Sequence, residues 1–320
     1  MVARWSFTCE GTMRRAFRIG DLMPAPTLLA ALVMVFATAF FAGTTLLAKA
    51  LGSGALGAPI HALQISQARF FFGFLAVVIV MAFLPRRVRR RPSGTPRPDW
   101  WAHLLRTTLG WMGGGLLFAA AARIPLTDAT ALSFLSPIAT MLLAIPLLGE
   151  RVGPWRWGAA VLALVGALVL LRPGDGMIQP AALLALGAAL CMGLEGIVIK
   201  RLTRHEPPQQ IMPVNNAMGA LLATLAVVPF FEWPEAAPQW GALAGVGVLM
   251  VSGQVLMLVA FMRADASFVT PFLYLTLVWA AVFDILVFGI RPDGASLLGA
   301  AIIIGGGMLM AWRESRIRRR

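Results

Sequence analysis

Acidic side chains are scarce: 14 Asp and Glu stand against 27 Lys and Arg, and charged residues of both signs make up only 13% of the chain. Soluble domains carry about a quarter. A soluble surface built from this composition would expose large apolar patches, which soluble monomers avoid. Cysteine is nearly missing. Cys9 lies in a basic N-terminal stretch and Cys191 in the middle of an apolar run, so no disulfide staple is expected. Histidine occurs three times, and His61, His103 and His205 sit at or between the ends of apolar runs without metal-ligand spacing. The glycine runs at 113–115 and 305–307 lack the following Lys and Ser/Thr of a phosphate loop and instead permit close helix approach. No Ser-His-Asp or Cys-His motif is present. Together these absences leave no local signature for an enzyme, a metal centre or a bound cofactor.

What is abundant is apolar: 59% of the 320 residues. A membrane-spanning helix needs about 20 such residues, because the hydrocarbon layer is roughly 30 Å thick and a helix rises 1.5 Å per residue. Ten runs fit, over 28–50, 66–84, 103–122, 128–148, 155–171, 180–199, 212–231, 240–262, 267–289 and 294–312. Pro85, Pro125, Pro173, Pro234 and Pro292 all fall in the connections. The runs are continuous rather than alternating, which argues against a membrane β-barrel. An all-α integral membrane fold follows. Residues 1–27 and 313–320 are basic tails, and the first tail lacks the apolar core of a cleaved signal peptide.

The net charge of +13 does not point to nucleic acid, because the arginines sit in tails and short connections. One side of the membrane receives 21 of the 27 Lys and Arg, among them Arg86, Arg87, Arg89, Arg90, Arg91 and Arg97 in the second connection. The other side receives Lys49, Arg69, Arg123, Arg172 and Arg291, and Arg106 lies just inside the third run. The asymmetry predicts both termini in the cytoplasm, with lipid headgroups as partners of the basic segments.

The chain also repeats. A shift of 140 superposes Thr130 on Thr270, Leu135 on Leu275, Ile145 on Ile285, Gly149 on Gly289 and Arg151 on Arg291. Lys49 and Lys200 each close an apolar run. Five spans per unit is an odd number, so the second copy must be inverted relative to the first. Inverted repeats are a recurrent architecture of secondary transporters, with the cargo held near the midplane.

The stretch DATALSFLSPIATMLLAIPLLGERV followed by WGAAVLALVGALVLLRPG resembles the first EamA domain of the drug/metabolite transporter superfamily. PFLYLTLVWAAVFDILVFG and LLGAAIIIGGG resemble the second. The resemblance implies ten transmembrane helices as two inverted five-helix repeats, at 28–173 and 180–312, enclosing a central cavity that opens to each side in turn. The Gly-Glu pair expected after the fourth helix of each half is present as Gly149–Glu150 but reads Gly289–Ile290 in the second half. The implied function is secondary transport of a small polar metabolite across a bacterial inner membrane, with export of an amino-acid-like compound as the first reading. Uptake of riboflavin or S-adenosylmethionine is the alternative, and a non-transporting scaffold or sensor is the competing class. Protons and a second copy of the chain are candidate partners.

Ionisable groups at membrane depth are costly and therefore functional candidates. Glu195, among apolar neighbours in CMGLEGIVIK, suits a cationic or amino group or a proton; its bland reading is a pair with Lys200 or Arg201. Asp284, in AAVFDILVF, is a second candidate, with Arg291 or water as its bland partner. Both facing the cavity would favour a positively charged cargo. Arg69 and Arg106 read as snorkelling to headgroups, and Asp128 as the cap of the fourth helix. Gln254, Asn215, Asn216, Tyr274 and Thr276 must find partners in a dry setting, as glue between helices or as cavity donors. Gln254 and Tyr274 are preferred for the cavity. Trp111 and Trp279 could stack on a planar cargo or simply fill space.

Overall fold

The structure, a computed structural model, describes residues 26–83, 98–148, 154–171, 180–202, 206, 208–263 and 269–318. The N-terminal arginines, the arginine-rich connection at 86–97, Gly149–Glu150 and His205 lie outside them. The described chain runs as α1 (Pro26–Gly52), α2 (Ala62–Phe83), α3 (Trp100–Ala121), α4 (Leu126–Ser133), α5 (Ser136–Leu148), α6 (Pro154–Leu171), α7 (Pro180–Leu202), α8 (Pro208–Val227), α9 (Ala237–Phe261), α10 (Leu275–Phe288) and α11 (Gly294–Arg318). Short 3-10 turns occupy Val228–Phe230 and Thr270–Tyr274. Six segments among the described residues are long and apolar enough to cross a membrane: Leu28–Gly52, Ala62–Phe83, Leu126–Leu147, Pro180–Ile199, Pro213–Phe230 and Ala237–Ala260. The protein is an integral membrane protein.

Its surface is arranged for lipid. Phe36, Phe71, Ile79, Val80, Phe83, Leu164, Leu221 and Leu286 face outward, while Thr44, Lys49, Gln64, His103, Asn215 and Asp284 are buried. Because lipid cannot hydrogen-bond, each polar group must be satisfied inside the bundle. Trp100 and Trp101 are exposed at the start of α3, and Trp233 and Trp240 lie near the start of α9 with ring centroids 5.9 Å apart. Such placement suits an interfacial aromatic belt.

The fourth apolar run, expected as one helix over 128–148, is two. Pro137 has no N–H to bond the Ser133 carbonyl and continue the ladder, and its fixed φ suits the first turn of a new helix. The chain answers with a tight corner in which the Phe134 N–H bonds the carbonyls of Thr130 and Ala131 and the Ser133 hydroxyl bonds Thr130 O at 2.7 Å. The ninth run breaks as well: the 3-10 turn holding Pro271 passes into α10 at Leu275. α10 ends at Gly289, whose φ of +65° is the left-handed conformation that closes a helix. The Gly289 and Ile290 N–H groups both return to Asp284 O.

Helix contacts come in matching sets. α1 packs along α9, and α3 along α7; α2 packs on both α8 and α9, and α3 on α8; α5 and α4 lie on α7, and α10 lies on α1. α6 and α11 pair with each other at the side. Glycine permits the closest of these approaches. A Cβ at Gly247 of α9 would lie 2.6 Å from the backbone nitrogen of Gly73 in α2.

Candidate functional site

The middle of the bundle carries three charges on three helices. α3 presents Arg106, Gly110 and Gly114 at steps of four, which places them on one face. The Glu195 carboxylate of α7 lies over Gly110, where an added Cβ would stand 3.2 Å from Oε1 and 3.3 Å from Oε2. The Arg69 guanidinium of α2 lies over Gly114, 3.3 Å from such a Cβ. Arg69 Nη2 donates to Gly110 O at 2.9 Å, and its Cζ sits 4.4 Å from the Phe70 ring centroid. Arg106 Nε is 3.6 Å from Glu195 Oε1, and its Nη1 reaches Ile211 O at 3.4 Å. Arg69 and Arg106 therefore turn inward rather than snorkel to headgroups: Gly114 leaves room for the Arg69 head and Gly110 for the Glu195 carboxylate that Arg106 approaches. Glu195 has these arginines as charged neighbours.

A second charged cluster closes the end of the bundle where α1 finishes. Lys49 Nζ meets Asp284 Oδ1 at 2.7 Å, with 6% and 0% of the side chains exposed. Asp284 Oδ2 accepts the Thr127 N–H at 2.9 Å and the Thr127 hydroxyl at 3.1 Å. The carboxylate thus sits at the N-terminus of α4, where free N–H groups and the helix dipole favour a negative charge. Asp284 caps α4 from across the bundle while Asp128 stands in the first turn of that helix, and the partner of Asp284 is Lys49 rather than the expected Arg291. Lys49 also lies 4.6 Å from the Phe288 ring centroid. Nearby, Gln64 exchanges two hydrogen bonds with the Glu232 backbone at 2.7 and 3.1 Å, and Gln239 Nε2 donates to Ala58 O at 2.8 Å. Ala58, Glu232 and Gln239 line a surface cavity of about 270 Å³ together with Trp233 and Glu235.

The opposite end has its own tie. Glu206 accepts the Asp99 N–H at 2.7 Å and the Gln210 amide at 2.6 Å, and its Oε2 lies 3.0 Å from His103 Nε2. Asp99 in turn caps α3 through the Ala102 N–H at 3.1 Å. Burial pushes the Glu206 carboxyl up, but the Asp99 N–H, the His103 ring and the Gln210 amide together hold it below its usual value. The start of α3 is thereby tied to the α7–α8 connection, as the start of α9 is tied to the α1–α2 connection.

The uncharged candidates mostly bind neighbouring helices. Asn215 is buried and accepts the Thr107 hydroxyl at 3.2 Å. Trp111 Nε1 donates to Leu63 O at 3.2 Å while its carbonyl accepts the Ser66 hydroxyl at 2.8 Å, so it fastens α3 to α2. Tyr274 meets Phe134 with centroids 5.1 Å apart, joining the two helix breaks. Trp279 stacks on Phe283 at 6.3 Å within α10. Gln254 is half-buried on α9. Sequence reasoning missed Lys49, Thr127, His103 and Glu206 as participants. For Lys49 the signal was its position closing an apolar run; for Glu206, in a polar connection, there was none.

Comparison with known proteins agrees with this architecture. The model of the EamA-like transporter family matches residues 28–172 and again 179–312. A riboflavin transporter of Rhizobium johnstonii is 34% identical over 80% of this chain and 83% of its own length. One from Vibrio cholerae is 31% identical over 77% of this chain and 82% of its own. An S-adenosylmethionine uptake transporter of Rickettsia prowazekii is 26% identical over 82% and 86%. One solved crystal structure covers 90% of this chain and 98% of its own with a TM-score of 0.57 at 20% identity, a likeness of fold alone. With its model matching twice and spanning nearly the whole sequence, the chain belongs to the EamA-like transporter family of drug/metabolite transporters.

Proposed function

We propose that this transporter is a secondary carrier that takes up riboflavin, or a close flavin relative, by alternating access through ten spans built as two inverted five-helix halves at 28–173 and 180–312. Both termini are cytoplasmic and the membrane is the bacterial inner membrane. The drive is a proton or substrate gradient. The reading of fold and mechanism rests above all on one observation. The corner at Phe134–Leu135 and the 3-10-to-α junction at Tyr274–Leu275 are separated by the same 140 residues as the sequence repeat, and the equivalent residues Phe134 and Tyr274 touch each other. Equivalent residues meet where a pseudo-two-fold axis passes. Broken helices at such an axis are where inverted-repeat transporters place their cargo site. The matching pairs α1 with α9 and α3 with α7 support the same axis.

Alternating access needs closures at both ends. The Lys49–Asp284–Thr127 cluster joins α1, α10 and α4 at one end, and the Asp99–His103–Glu206–Gln210 cluster joins α3 to the α7–α8 connection at the other. Each suits a gate that opens when the other is shut.

Riboflavin is placed ahead of an amino-acid-like export cargo on the relatives. The two riboflavin transporters match at 31% and 34% identity, whereas a pseudopaline exporter of Pseudomonas aeruginosa matches at 27% over 63% of this chain. S-adenosylmethionine uptake is the second reading, supported by the 26% relative. Expression in a riboflavin-auxotrophic bacterium tests the proposal: growth on low external riboflavin supports it. No growth, from cells holding the folded protein in the membrane, counts against it.

A further inference from the structure

The α3 face carrying Arg106, Gly110 and Gly114 sets three heads in a fixed order: guanidinium, carboxylate, guanidinium. Glycine is what allows it, since a Cβ at Gly110 or Gly114 would come within 3.4 Å of the Glu195 or Arg69 head. The three are not saturated by one another. Each guanidinium has five N–H donors, yet among the described residues their protein partners are Gly110 O, the long contact to Ile211 O and Glu195. Arg106 Nε is buried without a hydrogen-bond partner, because 3.6 Å to Glu195 exceeds hydrogen-bond length. Glu195 and Arg106 keep 21% and 13% of their side-chain surface, so the array is not fully enclosed. Among the described residues two arginines face one glutamate here, a net positive charge at membrane depth, where ionisable groups mark ligand and ion paths.

The order of the heads selects among ligands. A cation would meet two guanidiniums, and an anion would meet the Glu195 carboxylate in the centre. A zwitterionic amino-acid head would engage one guanidinium and the carboxylate and leave the other guanidinium as it stands. A neutral planar imide, with two carbonyl acceptors flanking one N–H donor, matches all three at once. We propose that Arg69, Glu195 and Arg106 form the recognition site for the imide edge of the transported ring, with the imide N–H donating to Glu195 and one carbonyl accepting from each arginine. The inference rests on the riboflavin reading, because the isoalloxazine ring ends in such an edge, and it reverses the expectation that Glu195 selects a positively charged cargo.

Flavin fluorescence provides the test. Detergent-purified full-length protein is titrated into riboflavin and into N3-methylriboflavin, which lacks the imide N–H. The wild type is expected to bind riboflavin at least about tenfold more tightly, the scale of a hydrogen bond to an ionised partner in a dry site. In Glu195→Ala, which removes the acceptor and makes room for the methyl group, the preference falls to about twofold or less. Arg106→Lys weakens both ligands alike. Equal binding of the two flavins by the wild type overturns the inference while leaving riboflavin transport standing, as does full discrimination retained in Glu195→Ala. Binding of neither flavin by folded protein overturns the riboflavin reading and the inference with it. The wild-type comparison needs no variant, so a Glu195→Ala protein that failed to fold would not remove the test.

Discussion

Replacing Asp284 by alanine should unfold this protein several degrees earlier, and the size follows from its contacts. The carboxylate is fully buried and accepts three hydrogen bonds, from Lys49 Nζ, the Thr127 N–H and the Thr127 hydroxyl. Asp284→Ala strands the Lys49 ammonium, itself 6% exposed, and uncaps α4. Removing one partner of a buried pair costs about 3–5 kcal/mol. With an unfolding entropy of roughly 2.1 cal/mol/K per residue, 320 residues give about 0.7 kcal/mol/K, so the loss corresponds to roughly 4–7 °C. Lys49→Met should act in the same direction, though Thr127 and the α4 dipole still hold the carboxylate. The double variant Lys49→Met/Asp284→Ala removes both charges, strands neither, and should recover much of the stability, since an apolar replacement of a buried pair is often neutral. Thermal unfolding of the four proteins in one detergent completes the cycle. Additive losses in the double variant, or an Asp284→Ala shift under about 1 °C, would refute the buried-pair account.

Gly247→Ala should destabilise by about 1–3 kcal/mol, because the new methyl meets the Gly73 backbone rather than a flexible side-chain end; an unchanged melting temperature would contradict the close α2–α9 approach. Gly110→Ala pushes on the Glu195 carboxylate instead, so flavin binding should weaken more than about fivefold while the melting temperature shifts by less than about 2 °C. The reverse pattern would make Gly110 a packing residue only. Glu206 predicts a pH signature. Its folded carboxyl is held below the ordinary value of 4.5, so the stabilisation is full above that value and is lost as pH falls through the lower folded value. The stabilisation of wild type over Glu206→Gln should therefore persist at neutral pH and be lost only below about 4.5; a gap that stayed unchanged as pH fell well below that value would contradict the hydrogen-bonded, ionised Glu206.

The spans were legible because continuous apolar length is a one-dimensional property, and α1, α2, α7 and α9 lie close to where hydropathy puts them. The two matches of the family model, at 28–172 and 179–312, fall where the sequence pairs Leu135 with Leu275. The break itself was not foreseen, although Ser136–Pro137 marked it, because the apolar run continues unbroken across the corner. Charged contacts were the least legible. Lys49 and Asp284 are separated by 235 residues, and no periodicity states which way either helix is turned. Reading Arg69 and Arg106 as headgroup contacts neglected what the Arg106, Gly110, Gly114 spacing provides, a side-chain-free strip that admits two large heads. Glu195 was visible as a costly residue in an apolar helix, but its neighbours come from α2 and α3 and belong to packing alone.

The measurement that bears most directly on the account is uptake of radiolabelled riboflavin by proteoliposomes holding only this protein. The account predicts saturable accumulation above empty liposomes, reduced at least about tenfold in Glu195→Ala and competed by unlabelled riboflavin but weakly by N3-methylriboflavin. Folded, reconstituted protein that accumulated no riboflavin, or took up S-adenosylmethionine instead, would contradict it.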